Sequence, residues 1–241
     1  MSKPRVLIYD VETFPNIGAT WGMWEQNVIK ILKHWQLASF AYKWQGESDV
    51  TCVSQKSLSE KKVTKALWDL FQEADATIAH NGDAFDLKKA RAKFTQFKLD
   101  PPTLSRSIDT KKIAKSQFGF TSNSLNDLGD FLGLGSKVDT GGKELWFDCM
   151  DGIPKAWDKM IEYNKQDVVL LEKVYLRLRP WYPTHPNLSI LSGNKGCPSC
   201  GSLKVQSRGF RATVSGKQQR YQCQDCGHWH TGPLDRSKHA R

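Results

Sequence analysis

Two carboxylates follow directly on the first apolar run of the chain. Val6, Leu7 and Ile8 predict a buried strand, and the sequence continues as YDVETFPN, with Asp10 and Glu12 two positions apart. Residues at that spacing in a strand project to the same face, and two carboxylates held so close repel each other unless a cation lies between them. Oxygen ligands suit Mg²⁺ or Mn²⁺ better than Zn²⁺. The segment therefore predicts a site for a hard divalent cation, and the alternative is a solvated strand end.

Two later segments supply further acids. In HNGDAFD, a short predicted strand (residues 77–80) ends at a turn, and Asp86 opens a helix. In EYNKQDVVLL, Tyr163 and Asp167 are four residues apart and share one face of a long amphipathic helix. Apolar neighbours on that helix place Asp167 beside the buried face, where an acid is costly unless it is paired or binds metal.

The three segments read DxE, NxxxFD and YxxxD in chain order. This order resembles the three motifs of the DEDD superfamily of 3′–5′ exonucleases, in its tyrosine-containing branch (DEDDy). It is similar to the proofreading exonuclease domains of family B DNA polymerases and to stand-alone exonucleases, some of them phage-encoded. The resemblance spans residues 5–180 and implies an α/β fold of the ribonuclease-H-like type, a mixed central sheet flanked by helices.

The resemblance also implies a metal-dependent phosphodiester hydrolase that uses two Mg²⁺ or Mn²⁺ ions. It implies that Asp10 bridges both ions, that Glu12 and Asp167 hold the ion carrying the attacking water, and that Asp86 supports the second ion. Tyr163 would orient the water through a hydrogen bond.

Four more residues near these motifs are candidate auxiliary or substrate-binding groups. Asn81 and Phe85 would position and pack the second motif. Asp109, in SIDT, is either an auxiliary acid near the site or an ordinary turn residue at a strand end. Phe14 either stacks on a terminal base or packs in the core. His80, just before the second motif, is read as a hydrogen-bonded structural group.

Four of the six cysteines form two CxxC pairs, each followed by glycine and separated by 22 residues: Cys197 with Cys200, and Cys223 with Cys226. In a chain without an export signal, such pairs indicate metal binding in place of disulfides. Four thiolates with closed coordination are typical of one structural Zn²⁺ ion, and the segment resembles a zinc ribbon. His228 and His230 are alternative ligands that four thiols make unnecessary.

The charge distribution favours nucleic acid as a partner. The formal net charge is +10, and the last 46 residues, with eight basic residues and two acids, carry +6 of it. The sequence predicts an exonuclease domain at residues 1–180, a Pro/Gly-rich linker at 181–195 and a zinc ribbon with a basic tail at 196–241. Whether the ribbon binds nucleic acid, which the charge favours, or protein stays open.

Together these features predict a 3′–5′ exonuclease, acting on DNA in preference to RNA and releasing nucleoside 5′-monophosphates. Three alternatives stay open: an exoribonuclease, an endonuclease of the wider ribonuclease-H-like class, and a non-catalytic nucleic-acid-binding adaptor on the same fold. The intact set of four acids argues against the adaptor. A replication or repair protein is a further candidate partner.

No apolar stretch approaches the ~18 residues that a membrane span needs, and the N-terminus does not have the features of a secretory signal. The expected location is the cytoplasm, of a bacterium or of a phage-infected host.

Overall fold

A computed structural model describes residues 4–24, 27–103, 106–137, 140–193 and 196–236. Within these residues the strands are β1 (Val6–Phe14), β2 (Ile17–Ala19), β3 (Lys30–Lys33), β4 (Gln36–Trp44), β5 (Thr51–Ser54), β6 (Ala76–Ala79), β7 (Arg106–Asp109), β8 (Val205–Thr213), β9 (Gly216–Cys223) and β10 (Trp229–Asp235). The α-helices are α1 (Glu60–Glu73), α2 (Asp86–Gln96), α3 (Thr110–Gln117), α4 (Leu125–Phe131), α5 (Glu144–Met150) and α6 (Pro154–Leu178). Two 3₁₀ helices follow α6, at Arg179–Trp181 and Leu188–Ser192.

A five-stranded mixed sheet forms the centre of the larger unit. Its strand order is β5-β4-β1-β6-β7; β1 runs antiparallel to β4 and parallel to β6, and β6 runs parallel to β7. Helices cover both faces of this sheet, so the predicted ribonuclease-H-like α/β architecture is confirmed.

Strand β1 is central and alternates its side chains between two cores. Val6 and Ile8 pack with the apolar face of α6, whereas Leu7, Tyr9 and Val11 pack with α1 and α2 on the opposite side. Side chains of a strand alternate between the two faces of a sheet, so Asp10 and Glu12 fall on the side that α6 covers.

Local signals in the sequence explain where the helices begin. Pro154 stands in the first turn of α6, where its missing N–H costs no hydrogen bond. The side chain of Ser124 accepts a hydrogen bond from the amide of Asp127 and caps α4. Asp109 caps α3 in the same way, through the amides of Lys111 and Lys112.

Several boundaries differ from those that the sequence predicts. The first strand continues through both acids to Phe14, although its apolar run ends at Tyr9. The residue pattern from Ile17 to Trp24 predicts one strand, but β2 ends at Ala19. The spacing of Ser57 and Glu60 predicts a capping box, but α1 begins after Ser59. The Glu60 carboxylate instead accepts a hydrogen bond from the amide of Leu37 and pairs with Lys93.

The cysteine module, defined here as residues 196–236, contains a second sheet with the order β10-β9-β8, antiparallel throughout. It adjoins the larger unit through His228, whose Nδ1 lies 3.3 Å from the carbonyl oxygen of Pro180. The four-cysteine cluster at one end of this sheet fits a zinc ribbon. The domain limits at 180 and 196 stay a prediction. In the part of the chain that the structure describes, no helix is both long and apolar enough to cross a membrane.

Candidate active site

Strand β1 holds the first two acids inside the sheet. Asp10 pairs with Ala41 of β4 and Glu12 with Ser39, and the register shifts immediately after Glu12. Because pairing with β4 fixes the backbone at both residues, the two half-buried carboxylates have defined positions on the α6 side.

Helix α6 supplies the third acid of the cluster. Asp167 is fully buried at 0% exposure, and Tyr163, one turn earlier, is 9% exposed. One carboxylate oxygen from each of Asp10, Glu12 and Asp167 lies within 4.8 Å of the other two. The Tyr163 hydroxyl hydrogen-bonds to the Asp167 carboxylate. The structure therefore brings together three of the four predicted acids and the predicted tyrosine.

Asp86 lies beside this trio. It is the first residue of α2 and only 3% exposed, and its Oδ1 accepts a hydrogen bond of 3.0 Å from the amide of Val11, which lies between the two acids of β1. The negative charge of Asp86 contributes to raising the pKa of Asp10. The fourth acid thus borders the cluster from the opposite edge of the strand.

No pattern in the sequence points to Lys137, whose ammonium group lies in the cluster. Its Nζ forms an ion pair with Asp167 Oδ2 and lies 3.2 Å from the Tyr163 hydroxyl. Burial lowers the pKa of Lys137, but the charge and hydrogen bond of Asp167 raise it on balance. The ammonium group is the positive charge that offsets the acids in this structure.

Asn164 orients Asp10. The Asn164 side chain is fully buried; its amide nitrogen donates to Asp10 Oδ2 at 2.8 Å, and its carbonyl oxygen accepts from the Ser39 hydroxyl at 3.1 Å. Helix α6, strand β1 and strand β4 are therefore linked by one amide. The sequence does not single out Asn164 either, because it lies among polar residues of the third motif and the apolar periodicity of the helix does not distinguish them.

The site strongly disfavours ionised carboxylates. Burial, followed by the charge of Asp167, raises the pKa of Glu12 to about 8. Burial also raises the pKa of Asp86 to about 7. Asp10 has its pKa raised well above the usual range by burial and by the charges of Asp86 and Glu12. Such a cluster ionises readily only when cations are supplied.

The residues present fit a hard divalent cation. Asp167 Oδ1 is buried and, among the described residues, accepts no hydrogen bond, a costly arrangement for a carboxylate oxygen unless a cation binds it. Oxygens that ligate one Mg²⁺ octahedrally at ~2.1 Å lie ~3–4 Å apart, and the three carboxylates each bring an oxygen within 4.8 Å of the other two, close enough for a small shift to place them around one ion. The identity of the ion is taken up below.

Comparison with known proteins gives the family. The model of the RNase_H superfamily matches residues 35–179, which is more than half of the chain. The chain belongs to the RNase_H superfamily. The matched segment contains Asp86, Tyr163 and Asp167 and begins after β1, so Asp10 and Glu12 precede it. Membership of the RNase_H superfamily supports nuclease activity on nucleic acid.

One solved structure with a similar fold is the family B DNA polymerase from the hyperthermophilic archaeon Pyrobaculum calidifontis. It superposes with a TM-score of 0.56 at 17% identity, over 82% of this chain and 26% of the polymerase. The chain therefore spans about a quarter of the length of that polymerase, and at this identity the likeness concerns the fold. No curated protein matches the sequence.

The second motif of this RNase_H-superfamily chain is held by structural hydrogen bonds. Asn81 adopts a positive φ of 65°, and its amide donates to Asp109 Oδ1 at 2.9 Å. Asp109 also caps α3, so the geometry favours the turn role that the sequence left open for it. Next to Asn81, a Cβ on Gly82 would lie 2.4 Å from the Cβ of Ala79, which explains the glycine at this turn.

Phe85, His80 and Phe14 have clear environments. Phe85 precedes α2 and stays 39% exposed beside Asp86, so its ring is accessible next to the acids. His80 bonds Thr110 Oγ1 and the carbonyl of Asn123, and burial lowers its pKa to about 4, as expected of a structural group. Phe14 is 4% exposed and meets Trp157 edge to face at 5.8 Å, which favours core packing over base stacking.

The cysteine cluster has the dimensions of a tetrahedral metal site. The Sγ atoms of Cys197 and Cys226 are 3.7 Å apart and those of Cys200 and Cys223 3.6 Å apart. Four sulfurs at ~2.3 Å from one Zn²⁺ ion lie ~3.8 Å from each other, whereas a disulfide requires ~2.05 Å. His228 bonds Pro180 instead of approaching as a ligand. The four thiols suit one structural metal ion.

Proposed function

We propose that this chain is a metal-dependent 3′–5′ exonuclease that hydrolyses phosphodiester bonds at the 3′ ends of DNA, in preference to RNA, and releases nucleoside 5′-monophosphates. The observation that carries the proposal is the convergence of Asp10, Glu12 and Asp167 within 4.8 Å, with Asp86 at their border and Tyr163 bonded to Asp167. The order of the three motifs supports the tyrosine branch of the DEDD exonucleases.

The four acids would hold two Mg²⁺ or Mn²⁺ ions, with Asp10 placed to contribute to both. The charges of Asp86, Glu12 and Asp167 all act on Asp10 and help to raise its pKa, and Asn164 donates a hydrogen bond to its Oδ2. When bound, the two cations would activate a water molecule and neutralise the leaving 3′ oxygen.

The remaining side chains position the reacting groups. Burial, with the charges of Glu12 and Asp167, raises the pKa of Tyr163 above its usual range, so its hydroxyl stays protonated at neutral pH and orients the attacking water as a hydrogen-bonding group. Lys137 contacts both that hydroxyl and Asp167; it fixes the phenol and places a positive charge beside the carboxylates, where a phosphate would approach. Phe85, exposed beside Asp86, is available to contact the terminal nucleotide.

The test uses purified full-length protein with Mg²⁺ or Mn²⁺ on 5′-labelled single-stranded and duplex DNA and on matched RNA. The expected product is a ladder shortened from the 3′ end, formed faster on DNA. The nearly isosteric variants Asp10→Asn and Asp167→Asn should each lower the rate at least about 100-fold, because each removes charge that the reaction requires.

Asp158→Asn is the matched control. Asp158 lies on the same helix as Asp167, but it is exposed and pairs with Lys56 outside the cluster, so its replacement should leave the rate unchanged. Full activity of both cluster variants would refute the proposed site. Internal cuts would indicate an endonuclease, faster cleavage of RNA an exoribonuclease, and no cleavage under any condition a nucleic-acid-binding adaptor.

A further inference from the structure

The sheet of the cysteine module has two chemically different faces. Directly paired residues of antiparallel strands place their side chains on the same face. Gln222 of β9 pairs with Gln206 of β8 and with Trp229 of β10, and Gln218 pairs with Arg211. Arg220 lies between the two glutamines on β9 and shares their face. The outer face therefore includes Gln206, Arg211, Gln218, Arg220, Gln222 and Trp229, together with Thr231 and Leu234, which pair with Arg220 and Gln218.

The opposite, inner face is directed by its contacts toward the rest of the chain. Tyr221 stacks on His230 at 5.3 Å, and His230 stacks in turn on His228, which is buried and bonded to Pro180. Lys217 lies over Phe210, 5.1 Å from the ring centroid, on this same face. The inner face thus also carries a cation and aromatic rings, and it supplies matched controls.

The outer face combines cationic and flat groups. The guanidinium carbon of Arg220 is 5.9 Å from the ring centroid of Trp229, and Trp229 is 46% exposed. Arg211 and Gln206 are exposed as well. Gly209 has no side chain to cover the guanidinium group of Arg220. A Cβ built at Gly209 would lie 3.7 Å from Arg220 Nη2, so the guanidinium group lies next to bare backbone.

Negative charge is confined to other parts of the module. Among residues 196–236 the acids are Asp225, which pairs with Lys204 and accepts from Ser202, and Asp235, whose strand register places it with Lys217 on the inner face. The outer face therefore presents two guanidinium groups, three amides and an indole with no carboxylate among its described residues. Such a surface complements a polyanion that also has flat, unpaired rings.

We propose that the outer face is a second nucleic-acid site that binds a single strand, with phosphates on Arg211 and Arg220 and a base stacked on Trp229. Aromatic faces bind any unpaired base, whereas the bases of a duplex are stacked on each other and cannot use the indole. Guanidinium groups bind phosphate through paired N–H donors. An apolar protein partner would require aliphatic surface. Among the paired residues of this face, the strand register places one large aliphatic side chain, Leu234, at a corner, so the face does not suit such a partner.

The experiment measures binding of a fluorescent single-stranded oligonucleotide to the full-length, zinc-loaded chain by anisotropy, without Mg²⁺ or Mn²⁺. Trp229→Ala should weaken binding about tenfold through loss of stacking. Arg220→Ala should lower the slope of log affinity against log salt by about 0.7, the value for one phosphate contact on a single strand.

Phe210→Ala and Lys217→Ala remove the same kinds of group from the inner face and should change the affinity and the salt slope far less. Native mass spectrometry of each variant checks that one Zn²⁺ per chain remains. If Trp229→Ala loses the metal, the variant Trp229→Leu is used in its place, because leucine is bulky but has no aromatic ring.

Equal losses on both faces would overturn the proposal, because affinity would then follow overall charge. Equal affinity for duplex and single strand would overturn the stacking role of Trp229. No binding by the zinc-loaded chain would overturn the proposal altogether. Because no cleavage takes place in this assay, its outcome is independent of the nuclease activity proposed above.

Discussion

At the scale of single residues, Lys137 supplies at the acid cluster the positive charge that a bound metal ion would supply. Lys137 pairs with Asp167, and its charge lowers the pKa of Asp10 and Glu12 against the larger effect of burial. Its side chain is 29% exposed, whereas that of Asp167 is 1% exposed, so removing the ammonium group leaves a buried carboxylate with less compensation.

Lys137→Ala should therefore destabilise the metal-free protein by about 2 kcal/mol, since breaking one side of a buried ion pair strands the other. Mg²⁺ should restore most of the lost stability, because the cation replaces the missing positive charge. The measurement is thermal unfolding with and without Mg²⁺, and the Mg²⁺-induced rise in Tm should be larger in the variant than in the wild type.

Lys143→Ala is the control for this substitution. Lys143 precedes α5 in the same stretch of chain and is exposed, so its removal should change neither the Tm nor the response to Mg²⁺. An identical Mg²⁺ response in Lys137→Ala and the wild type would contradict the electrostatic role of the lysine.

A site residue can be predicted from the sequence when local periodicity sets its direction, and it cannot when only tertiary contacts bring it to the site. Asp10, Glu12 and Asp167 stand at fixed spacings from apolar residues on one strand and one helix, so their common direction follows from periodicity. Lys137 and Ser39 reach the site by tertiary contact. In a chain with 35 lysines and arginines, no local pattern distinguishes Lys137, whose segment combines glycines with no regular apolar spacing.

At the scale of elements, strand β1 shows why the two acids lie inside a strand that local propensity ends before them. Acids are depleted in strands, and the apolar run predicts an end at Tyr9. Pairing with β6 ends at Ile8, but pairing with β4 continues the strand to Phe14, because the backbone of β4 supplies the hydrogen bonds. Tertiary pairing therefore overrides the local propensity at the two residues that carry the proposed chemistry.

The buried acids on and beside this strand determine how the stability of the protein depends on pH. In the folded state the pKa of Glu12 is raised to about 8, mainly by burial, and that of Asp86 to about 7; unfolding returns both groups to ordinary values near 4. Between these limits the folded state holds protons that the unfolded state has released, so the free energy of unfolding falls as pH rises. Metal-free protein should unfold at a lower temperature at pH 8 than at pH 6.

Mg²⁺ should reverse this trend, because a cation binds the ionised carboxylates and its affinity rises as protons leave. The Tm gain on adding Mg²⁺ should thus be greater at pH 8 than at pH 6. Glu12→Gln removes one titrating group and should flatten the pH dependence of the metal-free protein. A Tm gain that is equal at the two pH values would rule out the linkage of metal binding to these carboxylates.

At the scale of the whole molecule, the two sheets are stabilised by different means. The five-stranded sheet has apolar cores on both faces. In the cysteine module, the buried residues among those described are Gly196, Cys197, Ser199, Cys223 and His228. None of these is aliphatic or a large apolar residue, so burial of hydrocarbon cannot account for the order of the three strands. We expect the bound metal to take the place of a core.

Loss of the metal should therefore unfold the module and leave the RNase H-like sheet folded. Cys223→Ser removes a buried ligand, and metal binding is worth ~10–16 kcal/mol in comparable zinc peptides. The expected result is loss of the Zn²⁺ ion in native mass spectrometry and cleavage by a protease beyond about residue 193, with a resistant fragment that keeps a cooperative thermal transition. Cys149→Ser, at a buried thiol of the larger unit, should retain the metal and the protease resistance of the module. If the module of Cys223→Ser stays resistant to the protease without metal, its order must come from the contacts with Pro180 and the neighbouring linker. The predicted linker at residues 181–195 would then connect two parts of one cooperative folding unit.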